Sequence, residues 1–351
     1  MASYKKLLCI GLALDPIHVG SGGARLGRVD LTIVRDPVTR IPKIPGSSLA
    51  GVYRTYVAMA EHESNPGRTR PYYPHCAGLG QPKGKDYLGH CAQPDCPVCT
   101  VFGFARGKDQ AGGFAGLAAF TDAHVLLFPV PTRQGPRWVT CPDALRLVGL
   151  EVQGVDQDAV YFGSSQNTPL NLGWLLLPVM SFGQFQNIVQ SLQSCGVPSY
   201  IYERLALVPD RLFPHIVNSN LEVRTSVAIN PATGAAEEQA LFSYEALPRG
   251  TVLAWEIIAK NPKHFLIGGK EICAVKTPDD VHQKVQVAHP YLEHLGIGGM
   301  GTRGMGRLKV LYPSPAAENS VPKKVNCRDS ATSTTDSPSG LSESSTGLPE
   351  E

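Results

Sequence analysis

A glycine-rich segment early in the chain constrains the fold more than any other feature. Between residues 20 and 34, four glycines precede Asp30 and a short apolar run, and the chain then reaches the I-P-G-S-S motif at 44–48. Because glycine has no Cβ, this segment allows the main chain to approach a bulky ligand closely. Ser47 or Ser48 can cap a helix whose N-terminal amides face an anion. Together these features predict contact with a nucleic-acid backbone.

A second glycine-rich segment lies near the other end of the chain. Residues 294–312 have the sequence HLGIGGMGTRGMGRLKVLY, in which six glycines are interleaved with Arg303, Arg307 and Lys309. A dinucleotide-binding fingerprint follows a strand and opens a helix, whereas these glycines precede a β-prone run, which argues against that interpretation. Glycines interleaved with cations favour main-chain contact with phosphates, independent of base sequence and sensitive to salt.

The periodic segments between these two stretches predict an α+β protein. Residues 4–14 alternate weakly as a first strand, and residues 47–63 repeat apolar side chains at helical spacing. Residues 117–128 form the clearest strand, and residues 221–257 form a hairpin around a turn at 230–234. A strand, a loop and a helix followed by antiparallel strands are the start of a ferredoxin-like, RRM-type unit.

Other parts of the chain carry weaker signals. Asp122 and His124 lie inside the predicted strand 117–128, and we interpret them as satisfied strand side chains rather than as a metal or catalytic pair. We assign no chemistry to residues 150–200. Residues 314–351 consist mainly of serine, threonine, proline, glycine and acidic residues, and they are expected to be disordered because they cannot bury apolar surface.

Four of the nine cysteines cluster within and directly after a polar insertion at residues 64–98. The C-P-V-C motif at 96–99 has the spacing of a zinc knuckle, and Cys76 and Cys91 can complete a tetrahedral site with Cys96 and Cys99. A structural zinc ion would supply order that so polar a segment cannot obtain from an apolar core. Reduced thiols without metal are the alternative. Two histidines can each replace one cysteine, namely His75 and His90.

Composition sets broad limits on the function. Of 351 residues, 42% are hydrophobic, enough for a substantial core, and 7% are aromatic, which argues against a binder that stacks free single strands. The net charge is +2; residues 314–351 hold three cations and six acids, leaving +5 on residues 1–313. This balance is compatible with phosphate contact without requiring it. With no apolar run of the roughly 18 residues that a membrane span needs, we expect a soluble cytoplasmic protein.

Several of these segments resemble the RAMP superfamily. They are V-D-L at 29–31, R-D-P-x-T-x-x-P-x-I-P-G-S-S-L-x-G-x-x-R at 35–54, and L-F-x-x-E-x-L-P-x-G-T at 241–251 together with the second glycine-rich segment. Within that superfamily the chain is similar to the backbone subunit of type III CRISPR effector complexes, and residues 128–147 favour the type III-B branch. The resemblance covers most of residues 5–312 and is weakest from 150 to 200.

The resemblance implies a ferredoxin-like core at residues 1–63 and 99–313, a zinc-binding insertion at 64–98 and a thumb hairpin at about 221–245. It also implies several copies bound head to tail along a guide crRNA, with other effector subunits and complementary target RNA as partners and no membrane. Such contacts do not close, so they build a filament. Base pairing between guide and target would supply sequence specificity, as in RNA-guided effectors generally.

The resemblance further implies metal-dependent cleavage of the target RNA. The family's catalytic aspartate matches Asp30, which would hold Mg²⁺ or another divalent cation or help to deprotonate a ribose 2′-hydroxyl. His18 and Glu245 are secondary catalytic candidates. The expected RNA-binding residues are Gly20, Ser21, Gly22, Arg25, Arg28, Lys43, Ser47, Ser48, Arg54, Arg224, Gly298, Gly299, Arg303, Gly304 and Arg307.

Three alternatives stay open. Asp30 can be a strand-edge acid paired with Arg28 or Arg35, which would make the chain a non-cleaving crRNA-binding subunit. The chain can also be an endonuclease that processes precursor crRNA, a class that tends to use a histidine base such as His18. A zinc protein of unrelated function is the remaining alternative.

Overall fold

The computed structural model describes residues 2–22, 29–68, 71–78, 90–105, 112–237 and 241–312. The strands in this described part are β1 (Tyr4–Ala13), β2 (Lys43–Ile44), β3 (Ala118–Phe120), β4 (Ala123–Val130), β5 (Arg137–Thr140), β6 (Val160–Phe162), β7 (Gln166–Leu172), β8 (Leu175–Ser181), β9 (Leu205–Leu207), β10 (Glu222–Ser226), β11 (Phe242–Ala246), β12 (Val252–Lys260), β13 (Leu266–Ile267), β14 (Lys270–Glu271) and β15 (Leu308–Leu311). The helices are α1 (Gly46–Ser64), α2 (Pro97–Phe102), α3 (Pro142–Arg146), α4 (Phe185–Ser194), α5 (Ser199–Tyr202), α6 (Phe213–Ser219), α7 (Pro278–Gln286) and α8 (His289–His294). The predicted tail, 314–351, lies outside the described residues.

The core of the fold is a βαββαβ unit. Its sheet has the order β15-β1-β12-β4, and every neighbouring pair in it is antiparallel. Helix α1 connects β1 to the β3–β4 region, while α7 and α8 connect β12 to β15. This is the ferredoxin-like arrangement, so the predicted α+β fold class is confirmed.

Helix α1 packs on the sheet through one apolar face. Leu49, Tyr53, Tyr56 and Val57 are buried, at the spacing that aligns side chains along a helix. The Tyr53 ring lies 5.0 Å from the ring of Phe120 in β3. The buried face of α1 therefore fixes the helix against the core sheet.

The predicted strand at 117–128 is divided into two. β3 and β4 both pair with β12, and they are interrupted at Thr121 and Asp122. The interruption directs the Asp122 carboxylate to the start of α1, where Oδ1 accepts a 2.8 Å hydrogen bond from the Gly46 N–H. A strand break that the alternation does not predict thus provides a helix cap.

Residues 137–207 extend the same sheet beyond β4. The order continues β4-β5-β9-β6-β8-β7, with parallel pairs β5–β9 and β6–β8. Two of these strands, β6 and β9, are only three residues long, and β7 and β8 form a hairpin that accounts for the apolar patch near residue 170. The part of the chain that carries no clear sequence pattern therefore forms half of the sheet.

Of the hairpin predicted at 221–257, strands β10 and β11 form a hairpin outside this sheet, whereas the end of that range belongs to the central strand β12. β10 and β11 pair antiparallel, from Glu222 opposite Ala246 to Ser226 opposite Phe242. Among the helices of the described residues, none is long and apolar enough to cross a membrane.

Candidate active site and metal centre

Four segments that are distant in sequence meet at the end of β1. Backbone hydrogen bonds connect them: Gly299 N–H donates to His18 O at 2.8 Å, Val34 N–H to Val19 O at 2.9 Å, and Glu245 N–H to Leu31 O at 3.0 Å. Residues 17–22, where the first glycine-rich segment begins, thus adjoin the second glycine-rich segment, and residues 29–34 lie between residues 17–22 and β11. We call residues 17–22, 29–34, 242–247 and 298–304 the candidate site.

Glycine is required where the two glycine-rich segments touch. Gly298 has a φ of +91°, and a Cβ at this position would lie 2.3 Å from the carbonyl oxygen of His18. A side chain would therefore be strained and would also separate the two segments.

Asp30 is the exposed acid of the candidate site. Its Oδ2 accepts hydrogen bonds from the backbone N–H of Ser243 at 2.7 Å and from the Ser243 hydroxyl at 2.9 Å. These two bonds hold the pKa of Asp30 below its ordinary value, and the bond from the Ser243 backbone has the larger effect. The alternative pairing with Arg35 is not observed, because Arg35 binds Glu245 instead. Arg28, the other predicted partner, and Arg25 lie outside the described residues.

A pocket of about 680 Å³ opens directly beside Asp30. Its wall combines the Phe242 ring with the Met300 side chain, and the Arg303 guanidinium lies 5.5 Å from the centre of that ring. An apolar surface next to an acid and a cation suits the base and the phosphate of one nucleotide. The lining residues are Asp30, Leu31, Phe242, Met300, Gly301, Thr302 and Arg303.

His18 and Glu245 occupy more enclosed positions. His18 is only 6% exposed, and its Nδ1 lies 2.6 Å from the backbone oxygen of Glu245. The Glu245 carboxylate forms a 2.9 Å ion pair with Arg35 and accepts a hydrogen bond from Ile33 N–H at 3.4 Å. These contacts tie β11 to the first glycine-rich segment and give both side chains a structural role.

Two of the cations expected to bind RNA are committed elsewhere. Lys43 lies 2.7 Å from Asp122 and 3.5 Å from Asp36, with a side chain only 16% exposed. Arg54 donates a 2.7 Å hydrogen bond to Cys76 O and lies 2.7 Å from a ring nitrogen of His90. Lys43 therefore stabilises the start of α1, and Arg54 stabilises the fold of the insertion. Sequence alone reveals neither role.

Two further arginines, Arg307 exposed and Arg224 half-buried, are paired with acids. Arg307 binds both carboxylate oxygens of Asp15, at 2.5 and 3.1 Å. Arg224 lies 2.6 Å from Glu222 on the same strand. Each guanidinium keeps donors that can reach a phosphate, since an arginine carries five N–H groups.

The start of α1 differs from the expectation. The helix begins at Gly46 after Pro45, and neither Ser47 nor Ser48 forms a side-chain cap. Lys43 and the Gly46 N–H outweigh the effect of partial burial and hold the pKa of Asp122 below its ordinary value. The helix N-terminus thus already holds an anion from the chain itself.

The four cysteines of the insertion converge in a buried cluster. The sulfur atoms of Cys76, Cys91, Cys96 and Cys99 all lie within 4.8 Å of one another. Sulfur ligands 2.3 Å from a tetrahedral zinc ion lie about 3.8 Å apart, close to the observed 3.6 Å between Cys91 and Cys99 and 4.0 Å between Cys76 and Cys96. The donor set is therefore consistent with a structural zinc site of four cysteines, and the group needs neither His75 nor His90.

The local backbone also suits a metal. Cys96 precedes α2, and its sulfur accepts a 3.4 Å hydrogen bond from the Cys99 N–H. Hydrogen bonds among the four sulfur atoms, that from Cys91 first, lower the pKa of Cys76, whereas they raise the pKa values of Cys96 and Cys99. A bound zinc ion would hold all four as thiolates, because the thiolate is the ligand form of cysteine.

Comparison with known proteins finds a family model and a relative that each match most of the chain. A family model described as the RAMP superfamily matches residues 12–309. The CRISPR system Cmr endoribonuclease Cmr4 of Pyrococcus furiosus is 26% identical over 325 residues, which cover 87% of this chain and 95% of that protein.

Two solved structures share the fold. A chain of the type III-B Cmr-beta complex bound to cognate target RNA superposes with a TM-score of 0.59 at 16% identity, covering 88% of this chain and 98% of the other. Oligomeric Cmr4 from Pyrococcus furiosus superposes with a TM-score of 0.52 at 19% identity, covering 88% and 98%.

Proposed function

Because the chain belongs to the RAMP superfamily, we propose that it is a Cmr4-like backbone subunit of a type III-B CRISPR effector complex and cleaves target RNA there. The observation that carries the proposal is the meeting of two glycine-rich segments beside one exposed carboxylate. Several copies would bind along one guide crRNA, together with other subunits of the complex.

The guide would lie over the exposed backbone of the candidate site. Glycine segments offer amides without side chains, and such contacts hold a phosphate strand without distinguishing bases. Binding would weaken as salt rises, because contacts with phosphates release counterions. The exposed residues proposed for this contact are Gly20, Ser21, Gly22, Gly298, Gly299, Arg303, Gly304 and Arg307.

The hairpin would contact the guide–target duplex. It exposes four apolar side chains that suit insertion between stacked bases, namely Val223, Val227, Ile229 and Leu241. A nucleotide displaced by that insertion would fit the pocket lined by Phe242, Met300 and Arg303.

Cleavage would use the ribose 2′-oxygen next to the displaced nucleotide. The 2′-hydroxyl would give up its proton, which Asp30 would help to remove, and its oxygen would attack the adjacent phosphorus. The bond from phosphorus to the 5′-oxygen would break and that oxygen would take up a proton, leaving a 2′,3′-cyclic phosphate and a 5′-hydroxyl. Asp30 would orient the reacting ribose and phosphate through its free carboxylate oxygen. A divalent cation such as Mg²⁺ would supply charge neutralisation at the phosphate. His18 and Glu245 stay secondary predictions, and the 2′-hydroxyl explains a preference for RNA over DNA.

We assign the cysteine cluster a structural zinc ion. The four sulfur atoms provide a complete tetrahedral set with no open position, as structural zinc sites do. Arg54 would connect this centre to α1 through its hydrogen bond to Cys76 O.

The test is cleavage by the reconstituted complex carrying Asp30→Ala. We expect the rate to fall at least 100-fold, on the order of other losses of a catalytic group, with guide and target binding unchanged. Asp279→Ala serves as the control, since Asp279 is an exposed aspartate in α7 that pairs with Lys5. If the complex that carries Asp30→Ala cleaves at the wild-type rate, the chain is better explained as a crRNA-binding subunit that does not itself cleave. Cleavage of precursor RNA by the isolated chain would favour a processing enzyme.

A further inference from the structure

Ser243 makes contacts with Asp30 that the proposed cleavage does not by itself require. We propose that Ser243 is a positioning residue, which holds one carboxylate oxygen of Asp30 so that the other faces the RNA. The inference rests on the proposed function, since it assumes that Asp30 acts in cleavage.

The two residues form a closed ring of hydrogen bonds. The Ser243 hydroxyl accepts from the Asp30 N–H at 3.2 Å and donates to Asp30 Oδ2 at 2.9 Å, while the Ser243 N–H donates to the same oxygen at 2.7 Å. Oδ2 therefore has two donors. Among the described residues, no other side chain is hydrogen-bonded to the Asp30 carboxylate.

An exposed aspartate would otherwise sample several rotamers. Asp30 lies on the surface, and a catalytic group loses rate when its geometry is not fixed in advance. The ring with Ser243 fixes the side chain without burying it, which leaves the carboxylate accessible to a long polymer.

The contact also connects the acid to the hairpin. Ser243 belongs to β11, and the main chains of the two segments are joined independently by Leu31 N–H to Ser243 O at 3.0 Å and Glu245 N–H to Leu31 O at 3.0 Å. A serine-to-alanine change removes the hydroxyl but keeps these main-chain bonds. The change therefore tests positioning with little effect on the fold.

The experiment compares three variants of the reconstituted complex. Ser243→Ala should slow single-turnover cleavage by about 10- to 100-fold, the range expected from losing a hydrogen bond to a charged group, with target affinity unchanged. Ser243→Thr keeps the hydroxyl and should restore most of the rate. Ser226→Ala is the matched control, because Ser226 lies on the same hairpin and its hydroxyl contacts Tyr244 rather than Asp30.

The outcomes separate this inference from the proposed function. If Asp30→Ala abolishes cleavage while Ser243→Ala cleaves like Ser226→Ala, the positioning role is wrong and the proposed function stands. If Asp30→Ala cleaves normally, the cleavage proposal itself fails. If Ser243→Ala loses guide binding or assembly, or if threonine does not restore the rate, Ser243 supports the fold and the inference is overturned.

Discussion

The contact between the two glycine-rich segments can be tested with three glycines of one loop. Gly298 has a positive φ and no room for a Cβ beside His18 O, and Gly304 has a φ of +75° but open space. Gly301 has open space and no positive φ. Substitution by alanine at the three positions therefore separates backbone strain from steric overlap.

The expected magnitudes follow from these differences. Alanine in the left-handed region costs about 1–2 kcal/mol, which is the whole effect expected for Gly304→Ala. Gly298→Ala adds an overlap at 2.3 Å, so the loop must shift and the Gly299 N–H to His18 O bond is lost. Overpacking costs about 1–3 kcal/mol and one hydrogen bond about 1 kcal/mol, so together with the strain we expect a total of about 3–6 kcal/mol. Gly301→Ala should stay within about 0.5 kcal/mol of the wild type.

The assay is denaturant unfolding of the purified chain, with the free energy of unfolding compared across the three variants. Gly298→Ala should also reduce the amount of small RNA that copurifies with the protein, because the second glycine-rich segment would no longer adjoin the segment that contains His18. Equal free energies of unfolding for Gly298→Ala and Gly301→Ala would show that the contact with His18 does not exist as described.

Two further predictions concern the metal centre and the start of α1. Elemental analysis should find zinc with the wild-type chain, and Cys96→Ser should lose it and lower the melting temperature by roughly 5 °C or more, whereas Cys195→Ser, outside the cluster, should keep the metal. Asp122 has a lowered pKa in the folded state, so its stabilisation is present above the unfolded pKa of about 3.9 and is lost as the pH falls through the folded value. The difference in unfolding free energy between the wild type and Asp122→Asn should therefore shrink between pH 7 and pH 3, and a constant difference would contradict the assignment.

The predictable features are those encoded locally. The cysteine spacing, the helix at 46–64 and the hairpin turn each lie within a short stretch, so periodicity and residue type were sufficient. Strands β5, β6 and β9 were missed because three or four residues carry no measurable period.

Contacts between residues far apart in the chain could not be predicted from the sequence. Ser243 is 213 residues from Asp30, and Asp122 is 76 residues from Gly46. Lys43 illustrates the same limit, since a lysine within a motif is expected to face a ligand until its two aspartates are seen beside it. Local pattern thus indicated the kind of site but not the partners of each side chain.

The carboxylate at the start of α1 has a consequence for selectivity. A phosphate approaching Gly46 would find the Gly46 N–H already bonded to Asp122, whose carboxylate is paired with Lys43, so this amide is not available to bind it. Under the proposed function, retention of a long RNA would then depend on the main-chain amides and arginines of the glycine-rich segments, and contacts of both kinds with the phosphates do not distinguish bases. A protein of this kind would accept a guide of any sequence, and the choice of target would stay with the RNA.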